Sequence, residues 1–453
     1  MSLNKSISKI TGTELLEHLK SEKKKLILEK HLMDKKDNHI YPIKEELFNI
    51  PENWVWCYLS DISIIQEGPG IRKHQYCNEG IQFLTVTNIL EGEVDLEKSK
   101  KYISIDEYQK VYKHFTINYG DIVTACSGGS WGKSAIYEFN EKLILNTSTL
   151  RLRFFNDLGS NKYLYYLTKT AFFKDSLNSH LTGQQPNYGY SHYSKIQIPL
   201  PPLLEQKRIV AILDEAFAAI AKAKANAEQN LKNSKELFES YLQGVFENKG
   251  DGWEKRTLKE LTSHLGDGLH GTPKYTTEGD YYFINGNNLT DGVIEFKSST
   301  KRVSFEEYNK HKKNLTDRTI LVSINGTLGN VAFYNNEKII LGKSACYFNM
   351  KDGIDKNYIK YVLSSSYFLK YAHKEATGAT IKNVSLKTMR EFIVPLPSLK
   401  QQQVIVQNLD ALSDETKKLE AIYQQKINDL EELKKSVLQK AFSGELKTEK
   451  VLV

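Results

Sequence analysis

Cysteine is scarce in this chain. Only four occur in 453 residues, Cys57, Cys77, Cys126 and Cys346, with no Cys-x-x-Cys pair and no histidine cluster at ligand spacing. This argues against a zinc site or a disulfide framework and suits a reducing compartment. Long apolar runs are missing too: no stretch approaches the roughly 18 residues of a membrane helix, and the opening residues hold no apolar signal core. Neither export nor membrane spanning is expected, and the expected location is the cytoplasm.

Catalytic signatures are absent as well. There is no P-loop, no Gly-x-Ser-x-Gly, no His-Glu-x-x-His and no dinucleotide fingerprint behind a strand. The Asn/Asp-Pro-Pro-aromatic string with which amino-methyltransferases hold a flipped base is also lacking. Gln185-Pro186-Asn187-Tyr188 comes nearest and has no second proline. The chain is therefore expected to do no chemistry itself, with no catalytic residue and no metal.

What is present reads as an ordinary globular protein: 26% charged, 40% hydrophobic, long enough for roughly three compact units. The net charge of +7 suits a polyanionic partner, although charge alone is a weak pointer.

The stronger signal is internal repetition. Ser240–Phe246 and Ser436–Phe442 match at an offset of 196 residues (436 − 240), as do Pro199-Leu200-Pro201 with Pro395-Leu396-Pro397 and Leu213-Asp214 with Leu409-Asp410. Earlier matches drift slightly, as small loop insertions would make them: Gly129–Gly132 with Gly326–Gly329, Glu141–Leu145 with Glu337–Leu341, Phe83 and Asn88 with Phe283 and Asn288. The chain is a tandem repeat of one large unit.

Each unit opens as a mixed α/β segment. Gly120–Ala125 and Arg318–Ser323 are β-branched runs bounded by Gly, Asn or Asp and read as strands. After Pro201-Pro202 a helical pattern runs to about Glu247. Its apolar positions step by three and four: Val210, Leu213, Phe217, Ile220, Ala227, Leu231, Phe238, Tyr241 and Val245, with Lys224 and Ser234 in polar slots. The second copy gives Leu409, Leu412, Leu419, Tyr423, Leu430, Leu433 and Val437. Such alternation is the seam of a coiled coil, and a rod of ~45 residues, about 68 Å long, needs a partner for that seam. The expectation is two rods paired antiparallel about a pseudo-two-fold axis. A further amphipathic helix with Thr13 as N-cap and Leu15, Leu16, Leu19 and Leu26 on one face is expected to pack on the rods, its charged face, with Lys23, Lys24 and Lys25, turned to solvent. The two Gly-x-x-Gly loops look like phosphate-clamping loops, but without that motif's surroundings they read as tight turns.

The chain resembles the specificity subunit of type I restriction–modification systems. The resemblance rests on the Trp-x4-Leu openings at Trp54 and Trp253, the run Ile198–Val210 echoed at Ile393–Val406, and the C-terminal Leu438–Leu446. Asp267–Tyr275 looks like a loop of the family's target-recognition domains; the first unit departs from it with Gly70–Tyr76. The fold implied is α+β: a helical extension over 1–47, target-recognition domains over 48–200 and 249–396, a central spacer helix over 201–248, and a C-terminal helix and tail over 397–453. By resemblance, each domain reads half of a split double-stranded DNA target while the helices fix the unread spacer. The helices would dock two methyltransferase subunits that use S-adenosylmethionine to methylate adenine. Motor-nuclease subunits would add ATP- and Mg-dependent translocation and cleavage.

Reading DNA requires cations for phosphate and amide or guanidinium forks for base edges. In the first domain the candidates are Arg72, Lys73 and His74, then Ser130, Trp131 and Lys133, then Gln184, Gln185, Asn187 and Tyr188. In the second they are His270, Thr272, Lys274 and Tyr275, then Asn325, Thr327 and Asn330, then Lys382 and Asn383. Two other readings stay open from sequence: the recognition subunit of a methylation-only or phage-defence complex, and a coiled-coil scaffold whose domains bind protein.

Overall fold

Proline sets where each long helix begins. Pro201-Pro202 precedes the central helix Leu203–Glu247, and Pro397-Ser398 precedes the C-terminal helix Leu399–Ser443; both span 45 residues. A proline costs little there, because the first amides of a helix have no intrahelical acceptor. The computed structural model describes residues 10–29, 32, 43, 46–155, 157–179, 186–248, 250, 252–378 and 381–448.

The chain divides into two compact units, residues 1–225 with 427–453 and residues 226–426, so each unit holds part of both long helices. The first unit is built on an antiparallel sheet in the spatial order Ser63–Glu67, Thr149–Phe154, Ile122–Ala125, Ser134–Ile136. In the second unit the order is Thr262–Asp267, Ala345–Met350, Thr319–Ser323, Val331–Phe333, the same topology. Ile122–Ala125 and Thr319–Ser323 are buried at every position, which is why both read as β-branched runs without alternation of apolar and charged residues. A second sheet in each unit contains one parallel pair, Ile81–Phe83 with Leu143–Ile144 and Tyr281–Ile284 with Ile339–Leu341. A two-stranded ribbon closes each domain: Val55–Tyr58 with Gln197–Leu200, and Glu254–Thr257 with Ile393–Leu396.

Within the first unit the helical segments pair antiparallel. Phe217 lies under Lys434, whose ammonium is 5.2 Å from the ring centroid, and Lys224, further along, pairs with Glu431. In the second unit Leu242 and Phe246 share a core with Val406 and Leu409, while Lys235 and Phe238 line a groove with Thr416 and Glu420, again in opposite directions. The expected seam holds at Leu213, Ile220 and Ala227, which are buried, but Tyr241 and Leu433 are exposed. Toward that end of each helix the buried stripe joins a domain core, where Phe246 packs on Tyr358 and Phe442 on Tyr163, so burial shifts to Leu242 and Phe246, and to Leu438, Ala441 and Phe442.

The N-terminal helix is Gly12–Leu28, and its cap is Thr11, not Thr13. Glu14 falls three residues after Thr11 and completes a capping box, with the Thr11 amide donating to Glu14 Oε2 at 2.7 Å. It lies against the Val55–Tyr58 and Gln197–Leu200 ribbon and the turn Leu59–Ile62, and its leucines share a core cluster with Ile209, Leu213, Leu438 and Phe442 of the long helices. Leu15, Leu16 and Leu19 enter the main core of the unit there. The sequence matches this asymmetry. The covered strand carries Trp56 and Cys57, whereas its counterpart in the second unit carries exposed Glu254, Lys255 and Arg256.

Candidate nucleic-acid interface

Each unit projects its first candidate loop from a glycine that another side chain could not replace. A Cβ on Gly68 would lie 2.1 Å from the Asn146 carbonyl oxygen, and one on Gly268 2.1 Å from that of Leu341. Beyond Gly68, Ile71 buries itself among Phe83, Ile103, Tyr108 and Ile144, and this anchor leaves Arg72, Lys73 and His74 exposed. A single tight turn over Lys73–Gln75 holds them: the Arg72 amide donates to Gln75 Oε1 at 2.8 Å, and Gln75 Nε2 donates to Glu107 and, at 3.0 Å, to the Tyr112 hydroxyl. In the second unit Pro273 is the buried anchor, and His270, Thr272, Lys274 and Tyr275 are exposed. His270 Nε2 is 2.7 Å from Asp267 Oδ2, and the Lys274 amide donates to Glu307 Oε1 at 3.2 Å.

Glu107 and Glu307 thus brace the two loops alike, a role that sequence reading missed. Their signal was available: Ser104-x-x-Glu107 and Ser304-x-x-Glu307 are matching helix starts, with each serine hydroxyl accepting from the glutamate amide at 3.1 and 3.2 Å. Missed too are Lys101 and Lys301, both exposed. The Lys101 ammonium lies 5.4 Å from the Tyr76 ring centroid, and that of Lys301 6.0 Å from Tyr275.

The remaining candidates belong to two loops that the fold joins. In the first unit the Gly128 amide donates to the Pro186 carbonyl at 3.2 Å and the Tyr188 amide to Cys126 at 2.9 Å. In the second the Gly326 amide donates to Lys382 at 3.0 Å and the Val384 amide to Ile324 at 2.8 Å. Gly128, not Gly129, is therefore the counterpart of Gly326, and both take a positive φ, 62° and 77°. The first unit carries one extra residue in this turn. Each Gly-x-x-Gly stretch joins neighbouring sheet strands, the tight-turn role.

The tips differ in chemistry. In the first unit Asn187 is exposed and Ser130 and Lys133 are half-buried. Trp131 packs against Tyr188 with ring centroids 5.2 Å apart. Tyr188 is 2% exposed and its hydroxyl donates to Asn178 Oδ1 at 2.9 Å, so its ring serves the core. In the second unit Thr327 and Lys382 are exposed, and Asn325 Nδ2 donates to Asn383 Oδ1 at 3.0 Å. Asn330 is half-buried, its carbonyl accepting the Ser323 amide at 2.8 Å. Gln184 and Gln185 lie outside the described residues.

Burial pushes the Cys57, Cys126 and Cys346 thiols far above their usual range, so they stay neutral and packed. Among the described residues no helix is long and apolar enough to cross a membrane.

Two copies of one domain, each followed by a 45-residue helix, define a duplicated specificity protein. The family model described as the type I restriction modification DNA specificity domain matches residues 51–232 and again 250–432. The chain belongs to that family and is of the specificity-subunit kind, the non-catalytic part of such systems. It is 25% identical over 433 residues to the type I restriction enzyme EcoKI specificity subunit of Escherichia coli K12, covering 88% of this chain and 90% of that one. To the MjaVIII specificity subunit of Methanocaldococcus jannaschii it is 23% identical over 439 residues, covering 89% and 97%. Among solved structures, a chain described under complex assembly and conformational transition of the type I R-M system shares the fold at a TM-score of 0.70 and 20% identity, covering 88% of this chain and all of that one. The HsdS subunit from Thermoanaerobacter tengcongensis does so at 0.59 and 20%, covering 89% and all.

Proposed function

We propose that this chain recognises a bipartite double-stranded DNA target, one half with each domain, and directs two adenine methyltransferase subunits to it. Motor-nuclease subunits complete the assembly. S-adenosylmethionine, ATP and Mg belong to those partners, and this chain holds none of them. The observation that carries the reading is the pair of loops, joined by the same two backbone hydrogen bonds in both units yet tipped with different side chains. A common frame with divergent tips suits two heads that dock alike and read different half-sequences.

The chemistry at the tips supports it. Exposed Arg72, Lys73, Lys274 and Lys382 offer cations for phosphate, and Arg72 a fork for guanine. The Asn187 and Asn383 amides suit adenine. The long helices, at ~1.5 Å per residue, supply a stiff spacer between the half-sites. Random-sequence DNA selection with the assembled complex tests the reading. Two short half-sites at one constant separation are expected; no enrichment would favour a protein-binding scaffold.

A further inference from the structure

We infer that Lys101 and Lys301 are sequence-independent phosphate contacts, one in each recognition domain. The inference rests on the DNA-reading proposal above and assigns a division of labour within it.

The two domains disagree where bases would be read. The stretch Ile71-Arg72-Lys73-His74 in one loop differs from Gly271-Thr272-Pro273-Lys274 in the other. Immediately beside these loops the domains agree. Lys101 sits over Tyr76, and Tyr76 packs on Phe83 with centroids 5.1 Å apart. Lys301 sits over Tyr275, and Tyr275 packs on Phe283 at 6.0 Å. Both lysines lie at the same place on the backbone, each carbonyl accepting from the phenylalanine amide, Phe83 at 3.0 Å and Phe283 at 2.9 Å.

Among the described residues neither lysine is ion-paired with a carboxylate. Nearby lysines are: Lys100 with Glu97 at 2.6 Å and Lys297 with Glu295 at 3.4 Å. An exposed ammonium steadied on an aromatic face, with no carboxylate partner, is poised for an external anion. A residue that reads bases must change when the half-site changes. A residue that meets phosphate faces the same group in both halves, and nothing drives the two copies apart.

The test uses the full chain assembled with its methyltransferase subunits. Binding is measured across a salt series on a duplex carrying the selected target and on an unrelated duplex of equal length. Lys101→Ala with Lys301→Ala should weaken both duplexes by the same factor. The slope of log affinity against log salt should fall by about 0.9 per lysine, with the methylated sequence unchanged. Lys101→Arg with Lys301→Arg should restore the slope. An unchanged slope, a loss confined to the target duplex, or an altered methylated sequence would each overturn the assignment while leaving the DNA reading intact. A native complex that binds neither duplex would overturn both.

Discussion

Gln402 repeats Gln206 bond for bond. Both side chains are buried at the start of a long helix. Gln206 Nε2 donates to the Pro201 carbonyl at 2.9 Å while its Oε1 accepts the Ser160 amide at 3.0 Å; Gln402 does the same with Pro397 and Asp355, both at 2.9 Å. Ser160 and Asp355 are themselves N-caps of domain helices, so each glutamine fastens its domain to the root of its long helix. Replacing either by alanine should leave a buried carbonyl and amide unpaired and cost about 1–3 kcal/mol. Urea unfolding of the single variants checks this; a midpoint within error of the native chain would refute the clamp.

Two tyrosines per unit extend the same attachment. Tyr163 donates to the Pro199 carbonyl at 2.8 Å and Tyr358 to that of Pro395, while Tyr166 and Tyr361 donate at 2.5 Å to Asp214 and Asp410 on the long helices. Burial pushes all four phenols upward, and the carboxylates add to this for Tyr166 and Tyr361. A phenol with a raised folded pKa contributes stability in full below its unfolded value, about pH 10, and loses it as pH climbs toward the folded one. Unfolding midpoints should therefore fall above about pH 10. Tyr166→Phe with Tyr361→Phe should make that fall shallower, at a neutral-pH cost of about 1 kcal/mol for each lost hydrogen bond.

The N-terminal helix has no equivalent in the second unit's sequence, and its removal should act locally. Leu19 is fully buried, and Leu19→Ala should destabilise the first unit by about 2–5 kcal/mol. Hydrogen exchange should quicken in Val55–Tyr58 and Gln197–Leu200 and stay unchanged in Glu254–Thr257. Equal quickening in both ribbons would contradict the assignment.

Much of this architecture was legible because it rests on local rules repeated twice. The duplication, the strands at Ile122–Ala125 and Thr319–Ser323, and the two long helices follow from β-branched runs, proline breaks and three-four spacing. What escaped depends on long-range contact. Joining Ser127 to Asn187 and Asn325 to Asn383 needs backbone pairing across some 60 residues (187 − 127), which no local pattern encodes. Tyr188 looked like a contact residue because tyrosine serves cores and surfaces alike; only its position behind Trp131 decides. The paired glycines Gly128 and Gly129 hid a one-residue insertion that backbone φ resolves.

The exposed first loop offers a direct binding test. Arg72→Ala with Lys73→Ala should weaken DNA binding by the assembled complex and flatten its salt dependence. An unchanged salt slope would remove these residues from the interface.

The spacing of methylated adenines tests the central claim most directly. Host genomes are mapped after modification by complexes carrying the native chain, or a chain lacking two heptads from each long helix, about 21 Å of rod. The native chain should yield one bipartite motif with a constant spacer, and the shortened chain the same half-sites with a different spacer. An identical spacer from both chains would contradict the account.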